Sequence, residues 1–406
     1  MSFSLTEPIF VYGFPQNYDW GKVGDRSAVA KLLASYDKTQ PYAELWYGCH
    51  KNGVSLARQG QTKDELRNII NSDAEGILGK RVSEKFNKTL PFLFKVLSVE
   101  KALSIQTHPT KEQAKRLHAK NPNLYPDENH KPEIAIALTP LKLLYGFKTY
   151  EEIALAIRSI KAFSSLVDSE VVDIFLSAAA KDKEERFKNF YSELMKLSLT
   201  EEGRFKLKSA TSNLLSELAE RATLSEVEKL ILQLADVYPD DVGLFAPLLM
   251  NLVTIMPGQA IFTEPGVLHT YIAGDILEAM ANSDNVVRAG LTNKPCDVET
   301  LLEIVSYSPK LPPIINLAPS LIPNFSGFDV KAAEFHVEVL QDPNSVVTVN
   351  KEGAAEFLFP MNVKGTLTIN NFAHILQSGV GILVPAGVDS YSATLEAGSL
   401  YRVTIP

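Results

Sequence analysis

Cysteine is nearly absent from this sequence: its 406 residues include only Cys49 and Cys296. Two thiols cannot build a disulfide framework, which points to a reducing compartment. Long apolar runs are missing too, and none approaches the roughly 18 residues of a membrane span. The opening stretch MSFSLTEPIF lacks the positive start and apolar core of a signal peptide. No P-loop or G-x-G-x-x-G pattern occurs, so no nucleotide cofactor is implied. No tandem repeat or low-complexity segment stands out. A formal net charge of −8 argues against a polyanion as the main partner, while leaving room for a local basic pocket that takes a small phosphate. These absences leave a cytoplasmic protein with no nucleic-acid and no membrane partner. Its 45% hydrophobic content and length suffice for two or three domains.

Three textures follow one another along the chain. Residues 1–147 are rich in strands and turns, with β-type runs at 90–97 and 133–138. From 150 to 250 only Gly203 and Gly243 interrupt a helical periodicity. There Val227, Leu230, Ile231 and Leu234 share one helix face, behind Ser225 as cap and Glu228 in capping-box position. This predicts an inserted block of four to six helices. β texture returns at 251, with one more helix expected over 296–304. The segment SPKLPPIINLAPSLIP (308–323) reads as an extended strap. Short alternating strands over 327–406 suggest a small sandwich or barrel.

Two distant stretches echo each other. Gly258 precedes Pro265-Gly266-Val267-Leu268-His269, and Gly379 precedes Pro385-Ala386-Gly387-Val388-Asp389-Ser390. Both resemble the second motif of the cupin barrel, in which a metal-binding histidine follows. The first copy keeps the histidine; the second carries Ser390 in its place.

Seven histidines occur. His118 reads as solvated on a helix, His50 as a turn residue, and His336 and His374 carry no ligand signature. His108 and His269 differ, since each ends a β-type run beside proline. In a strand, Gln106 and His108 project to one face, as do Lys131 and Glu133. Two histidines, a carboxylate and an amide oxygen form a mixed N/O set suited to Zn²⁺, or failing that Fe²⁺, Mn²⁺ or Co²⁺, with a position left open for water or substrate. The plainer alternative pairs Glu133 with Lys131 on a surface. A further segment, GDILEAMANSDNVVRAGLTNK (274–294), interleaves Glu278, Asp284 and Arg288 with small residues. That favours close backbone approach, and buried charges need partners or a ligand.

At these residues the chain resembles the type I phosphomannose isomerases, zinc-dependent cupin-fold enzymes with an inserted helical domain. The resemblance rests on YDW (18–20), AELWYG (43–48), LPFLFKVLSVEKALSIQTHP (90–109), NHKPEIAIAL (129–138) and HTYIAGDILEAMANSDNVVRAGLTNK (269–294). It implies a mainly β fold with a helical insertion: tandem cupin (jelly-roll) barrels plus an all-α domain. Residues 1–149 with 251–310 would form the catalytic barrel, 150–250 the insertion, and 311–406 a C-terminal barrel without metal ligands. The family's zinc ligands match Gln106, His108, Glu133 and His269, giving one Zn²⁺ per chain. Ser104, Arg288 and Lys294 become candidates for the sugar-phosphate site, and Trp20, Glu44 and Lys95 for the pocket wall. His130, Lys131, Glu278 and Asp284 fall in the acid–base region, and Arg288 is counted with that catalytic set as well. Some positions depart from the family pattern: Thr110 after His-Pro, Gly48-Cys49-His50-Lys51, Leu268 and Thr270 around His269, and Asn293 and Pro295 around Lys294.

The implied reaction interconverts mannose 6-phosphate and fructose 6-phosphate through an enediol, with a lead into GDP-mannose biosynthesis. The small sugar phosphate is the expected partner and a monomer the expected state. Two alternatives stand beside it: an iron-dependent cupin oxidoreductase and a non-catalytic sugar-phosphate-binding protein.

Overall fold

A computed structural model describes residues 3–406; Met1 and Ser2, the start of the stretch read for a signal peptide, lie outside the described residues. With 30% helix and 33% strand the chain is mixed rather than mainly β. Part of that helix was not expected. Leu66–Ser72, Ala74–Leu78 and Lys80–Lys85 form three short helices inside the region read as strands and turns. No described helix is long and apolar enough to cross a membrane.

Two antiparallel sheets carry the fold. At the centre of one lies the long strand His269–Ala281, paired with Phe92–Val99 on one side and Glu133–Ala137 on the other. Every residue of Phe92–Val99 is buried, which is why it reads as a continuous apolar run. The run does not continue to His108. The chain turns at Glu100–Ser104 and begins a second strand, Ile105–Thr107, in which Gln106 is the register partner of His269 and of Arg288.

The helical block leaves and rejoins this sheet at one place. Strand Leu141–Phe147 precedes it, Met250–Ile255 follows it, and Phe147 and Met250 are register partners. An excursion whose ends meet across one strand pair is an insertion in physical as well as sequential terms. Seven α-helices fill it between Tyr150 and Leu249, the longest being Glu201–Ala219. Capping boxes at Thr149/Glu152 and Ser225/Glu228 start two of them. Their apolar faces share one core cluster with Leu268, Val287 and Leu291, so the insertion packs directly behind the strands that bear His269 and Arg288.

The other sheet contains the C-terminal strands and takes in Ile9–Tyr12, Leu56–Gln59 and Thr62–Glu65. Residues 311–406 therefore do not build it alone. The proline-rich strap ties the sheets together: Ile314–Ile315 pairs with Ala260–Ile261, and Ala318–Pro319 with Ser326–Gly327. Between them lies a shared aromatic core in which Phe94 meets Phe359 at 5.1 Å between ring centroids.

The pairing schemes of the sheets repeat. Glu356–Ile369 pairs with Val380–Val384 and Ser390–Thr404 as Glu133–Ala137 pairs with Ala260–Thr263 and His269–Ala281. Glu133 and Glu356 each open their strand, and His269 and Ser390 each open the long one.

Candidate metal centre

His108, Glu133 and His269 converge from three separate elements. Glu133 opens its strand, His269 opens the long central strand, and His108 follows the short strand Ile105–Thr107. The turn before His269 is anchored on His108 itself, because the Gly266 amide donates to the His108 carbonyl at 2.9 Å. Gly266 sits at φ +81°, a conformation that suits glycine.

The ring nitrogens are assigned by their partners. His108 Nδ1 lies 2.9 Å from the Asn285 carbonyl, and His269 Nδ1 lies 3.1 Å from the Val267 carbonyl. A carbonyl only accepts, so both Nδ1 atoms carry a proton, and in the neutral tautomer that this fixes each ring presents a bare Nε2. Each Nε2 stands 3.3 Å from Glu133 Oε2. All three atoms are buried and have no hydrogen-bond partner. Burying three such atoms together is costly unless a cation joins them. The donor set and its spacing, with ligand atoms within 4.8 Å of one another, fit a metal ion.

Electrostatics agree. Burial holds the His108 ring down at about 4, so it stays neutral and available as a donor. Burial alone would raise the Glu133 carboxyl, but Lys131, at 2.9 Å, and the two histidines hold it well below the usual carboxylate range. The pairing of Glu133 with Lys131 is real, yet both are buried rather than on a surface.

Above this group opens a cavity of about 680 Å³. Gln106, Glu133 and Lys131 line its floor side, and Ser104, Trp20, Glu44, Lys95 and Glu278 contribute to the wall. Half-buried Arg288 and exposed Lys294 add positive charge. The wall holds a buried polar chain. Lys95 Nζ lies 3.2 Å from Glu278 Oε2 and 3.8 Å from Glu44 Oε2, Tyr271 donates to Glu278 Oε1 at 3.1 Å, and the Trp46 indole N–H donates to Glu44. Burial raises Glu278 despite Lys95 beside it. Burial would lower Lys95, but Glu44 and Glu278 more than reverse this.

Two residues read into the acid–base region are placed elsewhere. His130 points away from the cavity and its Nε2 meets Glu334 at 2.7 Å. Asp284 lies 3.0 Å from His50 Nε2 and 3.2 Å from Lys51, in the wall of a separate cavity of about 450 Å³. Both sit in irregular loops, where sequence spacing does not fix side-chain direction. His50 is accordingly no plain turn residue but a buried partner of Asp284, and His118 is half-buried, its Nδ1 meeting the Tyr125 carbonyl. Sequence reasoning missed Tyr271 and Tyr238, which also line the cavity. Tyr271 had a signal, since it lies two residues from His269 in one strand. Tyr238 had none, because the helical block brings it.

Fold and site together define a metal-binding protein whose ligand group faces an open cavity lined by both cations and carboxylates. Comparison with known proteins supplies the family. Residues 11–150 match the catalytic domain of type I phosphomannose isomerase, and residues 166–250 match the helical insertion domain of the same enzymes. Mannose-6-phosphate isomerase of Rattus norvegicus is 39% identical over 366 residues, covering 87% of this chain and 86% of that protein. Mannose-6-phosphate isomerase 2 of Arabidopsis thaliana is 37% identical over 410 residues, covering 97% and 92%. The crystal structure of a variant phosphomannose isomerase from Salmonella typhimurium superposes with a TM-score of 0.86 at 29% identity, covering 98% of this chain and 99% of that one. A zinc-bound mannose 6-phosphate isomerase structure superposes with a TM-score of 0.85 at 29% identity, covering 98% and 99%. The chain belongs to the type I phosphomannose isomerase family.

Proposed function

We propose that this protein interconverts mannose 6-phosphate and fructose 6-phosphate with one zinc ion per chain. The observation that carries the reading is the bare His108–Glu133–His269 group beneath a cavity walled by Lys95, Glu278 and Arg288. The names of the relatives support the isomerase and not the iron oxidoreductase. We assign Gln106 as the fourth protein ligand, from its place in the cavity lining and its register with His269. Zinc held by these residues supplies a Lewis acid that polarises the substrate's carbonyl and hydroxyl oxygens.

The chain's own residues do the rest. Isomerisation takes a proton from C2 of the open-chain aldose and returns one to C1, while the hydroxyl proton crosses between O2 and O1. Glu278 is our proton carrier. Burial raises its carboxyl, which brings its affinity closer to that needed for a group that must take and return a proton. Lys95 stabilises the carboxylate form and Tyr271 fixes its orientation. To Lys131, held against Glu133, we assign the oxygen-bound proton. Arg288 and Lys294 receive the phosphate, the first as a planar fork and the second as a point charge at the rim. Ser104, Trp20 and Glu44 shape the wall.

We read the architecture as tandem jelly-roll barrels, with the divisions at 149/150, 250/251 and 310/311 and the N-terminal strands shared as described. The repeated pairing scheme supports this, and Ser390 in the position of His269 supports a second barrel without metal. A monomeric cytoplasmic enzyme that supplies precursors for GDP-mannose completes the proposal. A coupled assay for fructose 6-phosphate, run on the purified chain with metal analysis, tests it: absence of turnover in zinc-loaded protein would overturn the isomerase reading.

A further inference from the structure

His108 owes its tautomer to the Asn285 carbonyl, and that carbonyl lies in a segment with no regular structure. Residues 282–286 lie between the strands ending at Ala281 and beginning at Val287, and no sheet ladder sets their backbone. Something else must hold them. Buried amides in such a segment need explicit partners.

One carboxylate supplies several of them, beside the Asn282 amide on the Pro91 carbonyl at 3.1 Å and the ion pairs of Asp284 with His50 and Lys51. Asp127 Oδ2 accepts the Asp284 amide at 2.8 Å, and Asp127 Oδ1 accepts the Ser283 hydroxyl at 2.8 Å. The same Oδ1 takes the Asn129 amide at 2.9 Å and the Asn285 side-chain amide at 3.1 Å. Ser283 Oγ in turn accepts the Asn285 amide at 3.1 Å. Asn285, fully buried, also donates its side-chain amide to the Asp127 and Asn129 carbonyls at 2.7 and 2.9 Å. One half-buried side chain therefore makes three of the bonds between two irregular loops, which the Ser283 hydroxyl on the Asn129 carbonyl and the Asn129 side-chain amide on the Asn282 carbonyl also join. One of them ends in Lys131 and Glu133; the other carries the carbonyl that faces His108.

We propose that Asp127 is a positioning residue: by fixing the 282–286 loop, it aims the Asn285 carbonyl at His108 Nδ1 and so keeps His108 Nε2 bare for the metal. It touches neither substrate nor metal. Partners of this kind, one step behind the ligands, change metal affinity by about 10- to 100-fold when lost. The proposal rests on His108 being a ligand, so the test carries a control for that reading.

The experiment measures zinc affinity of the full chain by competition with a chelator, together with the tautomer of His108 in ¹⁵N-histidine spectra of the stripped protein. The His108 signal is assigned by its absence in His108→Gln. Asp127→Ala should weaken zinc binding about 10- to 100-fold and convert His108 from a single Nδ1–H form to a mixture. Asp127→Asn, which keeps one acceptor oxygen, should fall between it and wild type on both readouts. Ser225→Ala removes a helix cap in the insertion, where the side chain bonds to Glu228 of its own helix and to neither loop; it should lower the melting temperature and leave zinc affinity and tautomer unchanged. Wild-type affinity and an unchanged tautomer in folded Asp127→Ala would overturn the proposal. Wild-type zinc affinity in His108→Gln would instead overturn the reading of His108 as a ligand.

Discussion

Lys95 and Glu278 are register partners in adjacent antiparallel strands, and their buried side chains meet at 3.2 Å. In the other sheet Glu338 and Arg402 hold the same relation with the charges exchanged, and Arg402 also pairs with Glu356. Glu356 opens its strand as Glu133 does. In the first sheet the carboxylate that opens its strand shares a group of bare donor atoms. In the second, an arginine satisfies the carboxylates instead, and no donor atom of that trio is left bare. The same pairing scheme thus leaves bare ligand atoms beside one cavity and lines another, of about 690 Å³, with carboxylates already paired to an arginine.

If Glu278 carries the proton, Glu278→Gln should reduce kcat by about 10²- to 10⁴-fold, because the amide keeps the shape but cannot take a proton. Zinc content should stay at the wild-type level, since Glu278 lies outside the His108–Glu133–His269 group. A kcat within a few-fold of wild type would remove Glu278 from the role.

Arg288→Ala should raise KM for mannose 6-phosphate by about 10- to 100-fold, the loss of a charge-assisted hydrogen bond worth about 1.5–3 kcal/mol. Zinc content again serves as the control. Loss of zinc in this variant would place Arg288 in the metal site and not in the phosphate site.

Arg402→Met should destabilise the fold by about 3–5 kcal/mol, because it leaves the Glu338 and Glu356 carboxylates buried without their cation. Chemical denaturation measures this. A loss under 1 kcal/mol would mean the two carboxylates find other partners.

Asp284 gives a pH signature. Burial would raise its carboxyl, but hydrogen bonds from His50 and Lys51 hold it at about 2, against an ordinary 3.8. The folded chain therefore binds fewer protons at this group than the unfolded chain between those values. Its contribution is complete above pH about 4 and is lost as pH falls toward 2. Melting temperatures of wild type and Asp284→Asn should converge as pH is lowered through that range. A constant gap would show that the pairing contributes nothing dependent on ionisation.

Much of this was legible in the residues. The near absence of glycine over 150–250 and the Ser225/Glu228 box marked the helical block, because capping chemistry is local. His108, Glu133 and His269 were legible because each sits at a strand boundary with a recognisable neighbour. Other features depend on contacts distant in sequence. The break at Glu100–Ser104 is invisible in a run whose burial masks periodicity, since a strand buried on both faces does not alternate. The three helices over 66–85 are short and separated by Asp73 and Gly79, so no face repeats long enough to be read. Entry of Ile9–Tyr12 into the C-terminal sheet, the turning of His130 toward Glu334, and the bonds from Asp127 to the 282–286 loop all join residues more than 150 positions apart.

The most direct test of the central claim follows turnover and metal together. Zinc-loaded protein is assayed for fructose 6-phosphate formation from mannose 6-phosphate, stripped with a chelator, assayed again, and then reloaded, with His269→Ala treated in parallel. Activity should fall in proportion to zinc, return on reloading in wild type, and stay absent in His269→Ala. Full turnover by metal-free protein would contradict the account.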